Sequence, residues 1–189
     1  MELLVAPIIL AVAFLIMIIV THNGIISANN MVRRSWADVH NYERQKINML
    51  EQLESVVKVN ADYESETLKS IVALRQNISE LGARELDINA LKKVQDGTNQ
   101  LIKGLSVTIE NYPDLKANNS FVHLMNQIKG QHENAGAAIA VFNRNVEIFN
   151  TKIETIPTNL VNAFFSKKER VQEFKDSIAE QSIEYKPNL

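Results

Sequence analysis

The chain has no cysteine, and it has few glycine, proline and aromatic residues. Its 189 residues include six glycines, four prolines and 6% aromatic residues. The lack of cysteine excludes disulfide bonds, thiolate zinc sites, iron–sulfur clusters and c-type haem, and it agrees with a reducing compartment. The scarcity of glycine and proline favours helices joined by short connections.

The chain also lacks a block of charge of one sign. Its 20 basic and 22 acidic residues are interspersed and leave a net charge of −2. Because no basic stretch could neutralise a row of phosphates, we expect no nucleic acid partner. The carboxylates stand at helical spacing beside Lys and Arg, so we predict that all of them lie on solvated helix faces.

Motifs for catalysis or cofactor binding are missing too. The four histidines form neither a Glu-x-x-His nor a His-Glu-x-x-His pattern, and the glycines form neither a nucleophile elbow nor a phosphate-binding loop. We therefore expect no metal, no cofactor and no catalytic residue. The prediction is a protein that is not an enzyme.

An apolar segment is the most informative feature that is present. Residues 3–20, LLVAPIILAVAFLIMIIV, contain no charged or polar side chain. As a helix they would be roughly 27 Å long, close to the ~30 Å hydrocarbon core of a bilayer. The acidic Glu2 precedes the segment and no small-x-small cleavage site follows it, which disfavours a cleaved signal peptide. We predict a retained transmembrane anchor, represented by Leu3, Leu10, Phe14 and Val20.

The anchor sets the predicted domains and orientation. We predict an anchor over 1–22, a helical bundle domain over 23–181 and a flexible tail over 182–189. No Lys or Arg precedes the anchor, whereas Arg33 and Arg34 follow it. The positive-inside rule then favours an N-terminus outside the cell and a bundle in the cytoplasm.

Apolar residues recur at three- and four-residue steps over three predicted helices. The first covers about 25–60, the second starts at a cap supplied by Asp62 or Ser65 and breaks at Gly82, and the third covers about 86–111. Glu43 and Lys46 interrupt the first stripe, at positions that we predict to be exposed. The predicted core residues of these helices are Val32, Trp36, Val39, Leu50, Leu53 and Val57, then Leu68, Val72, Ile78 and Leu81, then Leu91, Val94, Leu101, Ile102 and Leu105.

The clearest periodicity lies between residues 121 and 156, where apolar positions alternate four and three without a slip. Its one polar member, His132, is predicted to be a hydrogen-bonded histidine of the bundle. Pro157 should end this helix, and a last amphipathic helix is predicted over 167–181. The seam consists of Phe121, Met125, Ile128, His132, Ala135, Ile139, Phe142, Val146, Phe149, Ile153 and Ile156.

Four principal helices with long seams predict an all-α fold: an N-terminal transmembrane helix, an antiparallel four-helix bundle and a short C-terminal helix. Trp36 fits the bundle core better than the membrane interface. Phe164 and Phe165, followed by Lys167 and Lys168, allow two interpretations. Core packing after Pro157 is the first, and an interfacial patch available for interaction is the second.

One stretch of the sequence resembles a known family. The stretch ENYPDLKAN, followed by Phe121 and Leu124, is similar to a signature of the LemA family of bacterial membrane-anchored helical proteins. The pairs Phe142-Asn143 and Phe149-Asn150 resemble paired Tyr-Asn positions of that family, with Phe in place of Tyr. The signature residues are Glu110, Asn111, Tyr112, Pro113, Asp114, Leu115, Lys116, Ala117, Asn118 and Phe121.

The resemblance implies a single-pass anchor in the bacterial inner membrane and a four-helix bundle, and it supplies no enzymatic activity that could be carried over to this chain. It also implies a link to membrane organisation, of which magnetosome biogenesis is one case. We therefore expect a non-enzymatic scaffold or adaptor whose partners are the lipid bilayer and other membrane or membrane-associated proteins. The alternative is a membrane-tethered binding module for a lipid or peptide in a bundle groove. The oligomeric state stays open.

Overall fold

In the computed structural model, every regular element is a helix within the described residues, which are 2–59, 65–82, 86–112, 115 and 117–175. This part of the chain confirms the all-α prediction. The elements are α1 (Glu2–Val59), α2 (Ser65–Gly82), α3 (Ile88–Asn111), α4 (Asn119–Glu154), α5 (Thr158–Val161) and a π-helical turn (Asn162–Ser166).

The chain divides into two compact units. Unit 1 comprises Met1–Ser35 and Val141–Glu173, and unit 2 comprises Trp36–Ala140 and Phe174–Leu189. Helices α1 and α4 each contribute residues to both units, because each passes through a boundary without a break.

Side chains cap the start of two helices. At α3, Asp87 Oδ1 accepts a hydrogen bond of 2.8 Å from the backbone N–H of Ala90. At α4, Asn118 Oδ1 accepts from the backbone N–H groups of Ser120 and Phe121, at 3.1 and 3.2 Å. Short Asp and Asn side chains suit this role, since the first amides of a helix have no partner within it.

The core of unit 2 comes from four helical segments. The predicted stripe of α1 is buried, including Trp36, which confirms its core position. The buried apolar residues are Trp36, Val39, Leu50, Leu53 and Val57 on α1, Ile71, Leu74, Ile78 and Leu81 on α2, Leu91, Val94, Leu101 and Leu105 on α3, and Phe121, Leu124, Met125, Ile128, Ala135, Ala138 and Ile139 on α4.

Two of the four predicted core residues of α2, Ile78 and Leu81, are buried, and the other two are not. Val72 is exposed and Leu68 is only half-buried, whereas Ile71 and Leu74 are buried. The buried face follows the regular three-and-four spacing that ends at Ile78 and Leu81, and Val72 falls outside that spacing.

The core of unit 1 lies between α1 and the second half of α4. Ile156, the last predicted seam residue, is 80% exposed, so its predicted burial is wrong. The reason is that α4 ends at Glu154, which removes Ile156 from the helical face. The buried apolar residues of this unit are Ile25, Ala28 and Val32 on α1, Phe142, Val146, Phe149 and Ile153 on α4, and Val161 on α5.

The predicted helix over 167–181 is wrong for residues 167–175, which have no regular secondary structure, and the rest of it lies outside the described residues. Two asparagines hold this segment instead. The Asn162 side chain pairs with both backbone groups of Lys168, at 2.9 and 2.9 Å. The Asn150 side chain pairs in the same way with Val171, at 2.8 and 2.9 Å. These amides replace the backbone partners that a helix would supply.

Asn150→Ala should release this segment. The buried Asn150 side chain both donates to and accepts from Val171, and removing it leaves both backbone groups without that partner. We expect a loss of about 1–3 kcal/mol in the free energy of unfolding and faster amide exchange over 167–175. Hydrogen-exchange mass spectrometry of the full chain in detergent micelles measures this.

Asn145→Ala is the matched control, since Asn145 is a half-buried asparagine of the same helix. Amide exchange over 167–175 should stay at the parent rate in that variant. Equal exchange rates in the two variants would contradict the role assigned to Asn150.

Candidate functional site

The first half of α1 presents apolar side chains to its surroundings. Leu10, Phe14 and Val20 are all exposed, while Leu3 lies outside the residues whose side chains are described. One helix of the described residues is long and apolar enough to cross a membrane, with a mean hydropathy of 2.6 in its most apolar window and none of that window buried. A contiguous exposed apolar surface of this kind is typical of a site of membrane or protein interaction.

A second apolar surface follows α4. We call residues 156–165 the apolar tip. Phe164 is 74% exposed, and Leu160 and Phe165 are exposed as well, whereas Val161 points into the unit. The core-packing interpretation of Phe164 and Phe165 is therefore wrong. These two side chains lie on the π-helical turn that follows α5, and the inward position of that region is already filled by Val161.

The apolar tip faces α1. A shallow cavity of about 210 Å³ separates the two, and all of its lining residues are apolar. From α1 these are Phe14, Met17 and Ile18, and from the tip Pro157, Leu160, Val161, Phe164 and Phe165. The tip therefore widens the apolar surface of α1 at the end nearer Val20.

Polar and basic groups border this surface. His22 Nδ1 and Ser166 Oγ form a hydrogen bond of 2.8 Å, which ties the end of the π-helical turn to α1. A Cβ at Gly24 would lie 3.1 Å from Lys152 Nζ, so the glycine leaves room for this ammonium beside α1. Lys167 is exposed and Lys168 half-buried. We call Lys152, Lys167 and Lys168 the basic collar.

Unit 2 contains a buried polar cluster. Glu43 and Lys46 are both 0% exposed, which overturns the prediction that these two residues, and every carboxylate, lie on the surface. Lys46 Nζ lies 2.8 Å from Glu43 Oε2 and donates to Thr98 Oγ1 at 3.2 Å. Gln95 Nε2 donates to Glu43 Oε1 at 2.7 Å. The cluster therefore joins α1 to α3.

Spacing would have revealed this burial. Apart from Ser35, the buried positions of α1 from Val32 to Val57 alternate four and three residues apart, and Glu43 and Lys46 occupy two of them. The prediction of exposure followed from the charge of Glu43 and Lys46, because a lone Glu or Lys is almost never fully buried. Two residues of opposite charge at three-residue spacing can be buried together as an ion pair.

Burial dominates the electrostatics of the cluster. It raises the pKa of the Glu43 carboxyl, while the Lys46 charge and the hydrogen bonds from Lys46 and Gln95 oppose the rise. Burial also lowers the pKa of the Lys46 ammonium, against the attraction of Glu43. Removal from water thus outweighs the mutual attraction, which makes the pair a weak source of stability.

The remaining polar contacts of unit 2 also join helices. His132 Nε2 hydrogen-bonds to Asn99 Oδ1 at 2.9 Å, which confirms the predicted hydrogen bonding of His132. Arg75 forms ion pairs of 2.6 Å each with Glu51 and Glu54 of α1. Among the described residues, no three His, Asp or Glu side chains come together as a metal site requires.

The ENYPDLKAN stretch forms the connection between α3 and α4. The backbone N–H of Tyr112 donates to Thr108 O at the end of α3, Leu115 is buried, and Asn118 caps α4. Of the other signature residues, Phe121 is buried, Glu110, Asn111 and Ala117 are exposed, and Pro113, Asp114 and Lys116 lie outside the described residues.

Comparison with known proteins relates the folded part of the chain to one family. A family model described as the LemA family matches residues 35–186. A curated relative, Protein LemA of Metamycoplasma hominis, is 29% identical over 120 residues, which cover 63% of this chain and 52% of that protein. The chain thus spans about half the length of the curated relative that it matches. The family match begins after the apolar segment, so it concerns the part of the chain that follows the segment.

Lys46→Met should destabilise the protein in a pH-dependent way. The buried Glu43 carboxyl loses its cationic partner, which should cost about 3–5 kcal/mol at neutral pH. Without the ammonium, burial raises the pKa of Glu43 further above its ordinary 4.5. A raised carboxyl pKa favours the folded state below pH 4.5, and this advantage is lost as the pH rises through the folded pKa. The deficit against the parent should therefore grow as the pH rises from about 4.5 through the raised folded pKa of Glu43.

Denaturant unfolding of the full chain in detergent micelles over that pH range measures the effect. The double variant Glu43→Leu/Lys46→Met removes both charges, so it should match or exceed the parent by up to about 4 kcal/mol and lack this growth with pH. Lys58→Met is the exposed control on the same helix and should stay within about 0.5 kcal/mol of the parent. A Lys46→Met deficit no larger than that of Lys58→Met would disprove the buried pair.

Proposed function

The chain belongs to the LemA family, and from that premise we propose that it is a non-enzymatic, single-pass membrane-anchored scaffold. Its helical domain would serve as an adaptor for other membrane or membrane-associated proteins in membrane organisation. One observation carries the proposal. The exposed apolar surface of α1 continues without a break into the helical residues that pack in the cores of both units.

The energetics of α1 support the anchor. Burying a Leu, Ile or Phe side chain in an apolar environment contributes about 1.5–3 kcal/mol. The apolar surface includes many such side chains, among them Leu10, Phe14 and Ile16, all of them exposed to water when no lipid covers them. Their summed transfer to lipid would hold the protein at the bilayer far more firmly than a single acyl chain does.

We infer that unit 2 is an antiparallel four-helix bundle. Residues 43 and 46 of α1 meet residues 95 and 98 of α3 in the same order, which supports parallel directions for these two helices. In an up-down-up-down bundle the first and third helices are parallel and the second and fourth run the opposite way. Arg75 on α2, and Gln131 on α4 through its bonds to Tyr42 O and Gln45 Oε1, both contact α1, as neighbours in such a bundle would.

We propose the inner membrane of a bacterial cell as the location, with the N-terminus outside and the domain in the cytoplasm. Arg33 and Arg34 carry this orientation through the positive-inside rule. The basic collar supports it, because it lies at the same end of the apolar segment.

Reporter fusions at the C-terminus test the orientation. A reporter that is active only in the cytoplasm should be active on the full chain, and one that is active only outside should be silent. The physical reason is that Arg33 and Arg34 resist transfer across the membrane. The reverse pattern of activity would contradict the orientation while leaving the anchor in place.

A groove in unit 2 supports a second candidate, a membrane-tethered binding module for a peptide. Its volume is about 440 Å³, and it runs between α2 and α3. Gly104 forms part of its floor, and nothing lies within 4 Å of the position that a Cβ would take there. The lining mixes charged, hydroxyl and apolar groups, such as Glu66, Ser70 and Val107, which suits a peptide better than an acyl chain.

Gly104→Leu should fill this groove and remove the partner. A photo-crosslinking amino acid at Ser70, on the opposite wall, reports binding by the full chain in its native membrane. Gly136→Leu is the matched control: it also replaces an exposed helical glycine that has free space, but on α4 and away from the groove. Both substitutions should raise helix stability by a similar ~0.5–1 kcal/mol.

A protein adduct that disappears in Gly104→Leu and persists in Gly136→Leu supports the groove. An adduct that persists in both variants contradicts the groove and leaves the scaffold with another contact surface. No protein adduct from Ser70 or from the exposed Val72 of α2 would contradict the scaffold itself.

A further inference from the structure

We propose that the apolar tip, residues 156–165, is a second membrane-inserted element that lies among the acyl chains of the leaflet crossed by the C-terminal half of the anchor. This inference rests on the proposed anchor, because the anchor defines where the leaflet is. In this proposal the lipid of that leaflet covers the apolar surface of the tip, which the described residues of the chain leave exposed.

The position of the tip along α1 gives its depth. The tip faces Phe14, Met17 and Ile18 across the cavity that they line together. Phe14 lies six residues before Val20, the last residue of the apolar segment. At 1.5 Å per residue the tip therefore reaches roughly 9 Å below the end of that segment. Interfacial helices bury their apolar faces to about 5–10 Å, so this depth matches the boundary between headgroups and acyl chains.

The exposed side chains of the tip fit lipid. Among the residues of unit 1 whose side chains are described, Ile156 and Phe164 are the most exposed large apolar ones, and Leu160 and Phe165 accompany them. All four lie within a stretch of ten residues that borders a cavity with apolar walls. The tip is continuous with the surface of α1 that the proposed anchor already places in lipid.

Hydrogen bonds within the tip also pair several of its backbone amides, which suits a low-dielectric environment because an unpaired amide is costly there. Pro157 carries no N–H group. The N–H of Asn159 donates to Thr155 O at 2.7 Å, and the N–H of Leu160 donates to Asn159 Oδ1 at 2.7 Å. The turn closes with Lys167 N–H donating to Asn162 O at 2.7 Å.

Polar side chains replace the apolar ones at the level where the lipid headgroups would lie. The His22–Ser166 hydrogen bond lies just beyond the apolar segment, and Lys152 passes alongside Gly24, four residues after Val20. Lys167 and Lys168 follow the tip directly. A band of apolar residues beside lysines matches a leaflet with anionic phosphates above its acyl chains. Two inserted elements would fix how unit 1 tilts at the membrane, which a single helix does not do.

Site-directed spin labelling tests this on the full chain. Because the sequence has no cysteine, each variant carries one label. The variants are Phe164→Cys on the tip, Phe14→Cys on the anchor, and Val141→Cys, an exposed residue of α4 in unit 1. The protein is reconstituted in vesicles of phosphatidylcholine and phosphatidylglycerol, and the accessibility of each label to oxygen and to a water-soluble nickel chelate is measured.

We expect the label at 164 to resemble the label at 14, with high oxygen and low nickel accessibility. The label at 141 should show the reverse. A label at 164 that resembles 141 while the label at 14 is in lipid would overturn the inserted tip and leave the anchor standing. Nickel access at 14 itself would overturn the anchor, and the tip proposal with it.

A second variant tests why the tip would lie in lipid. It distinguishes an affinity of the tip's own side chains for lipid from mere proximity of the tip to the anchor. Phe165→Ser removes one exposed apolar side chain of the tip. In that background the label at 164 should shift toward nickel accessibility, while the label at 14 should not change. An unchanged label at 164 would show that the phenylalanines do not hold the tip in lipid, and it would overturn the proposal.

Discussion

The exclusion of apolar side chains from water is the constraint on which the rest of the molecule depends. Residues 3–20 offer no charged or polar side chain to solvent, and in hydrocarbon a single segment can satisfy its backbone only as a helix. That helix does not end where the apolar segment ends. It continues as α1 to Val59 and supplies buried residues to both units. The exposed apolar surface and buried residues of both units therefore lie on the same helix.

A second constraint acts inside unit 2, where the buried polar cluster joins α1 to α3. A buried ion pair adds little to stability compared with apolar residues of the same size. It does penalise alternative registers, because a shift of either helix would leave a charge buried without its partner. We regard the fixing of this register as the main structural role of Glu43, Lys46, Gln95 and Thr98.

Much of the fold could be predicted from the sequence, because repeated spacing is a local property. The seam of α4 from Phe121 to Ile153 follows the three-and-four pattern, and its apolar members are buried. Glu43 and Lys46 occupy the same kind of pattern, but their charge pointed to the surface. Their spacing alone indicates burial, and the prediction was wrong because residue type was given more weight than spacing.

Long-range contacts explain the other differences. The apolar residues within 167–175 have helix-like spacing, yet the side chains of Asn150 and Asn162 form hydrogen bonds with the backbone of this segment. No local pattern shows that an asparagine will bind a backbone 21 residues away. The exposure of Phe164 depends in the same way on the end of α4 at Glu154 and on Val161 filling the inward position.

The central claim is that the apolar segment is retained and holds the protein in a bilayer. Mass spectrometry of the protein extracted from carbonate-washed membranes tests it most directly. The account predicts that the protein stays with the membranes and that its peptides include residues 3–20. A protein released by carbonate, or a membrane-bound protein without those residues, would contradict it.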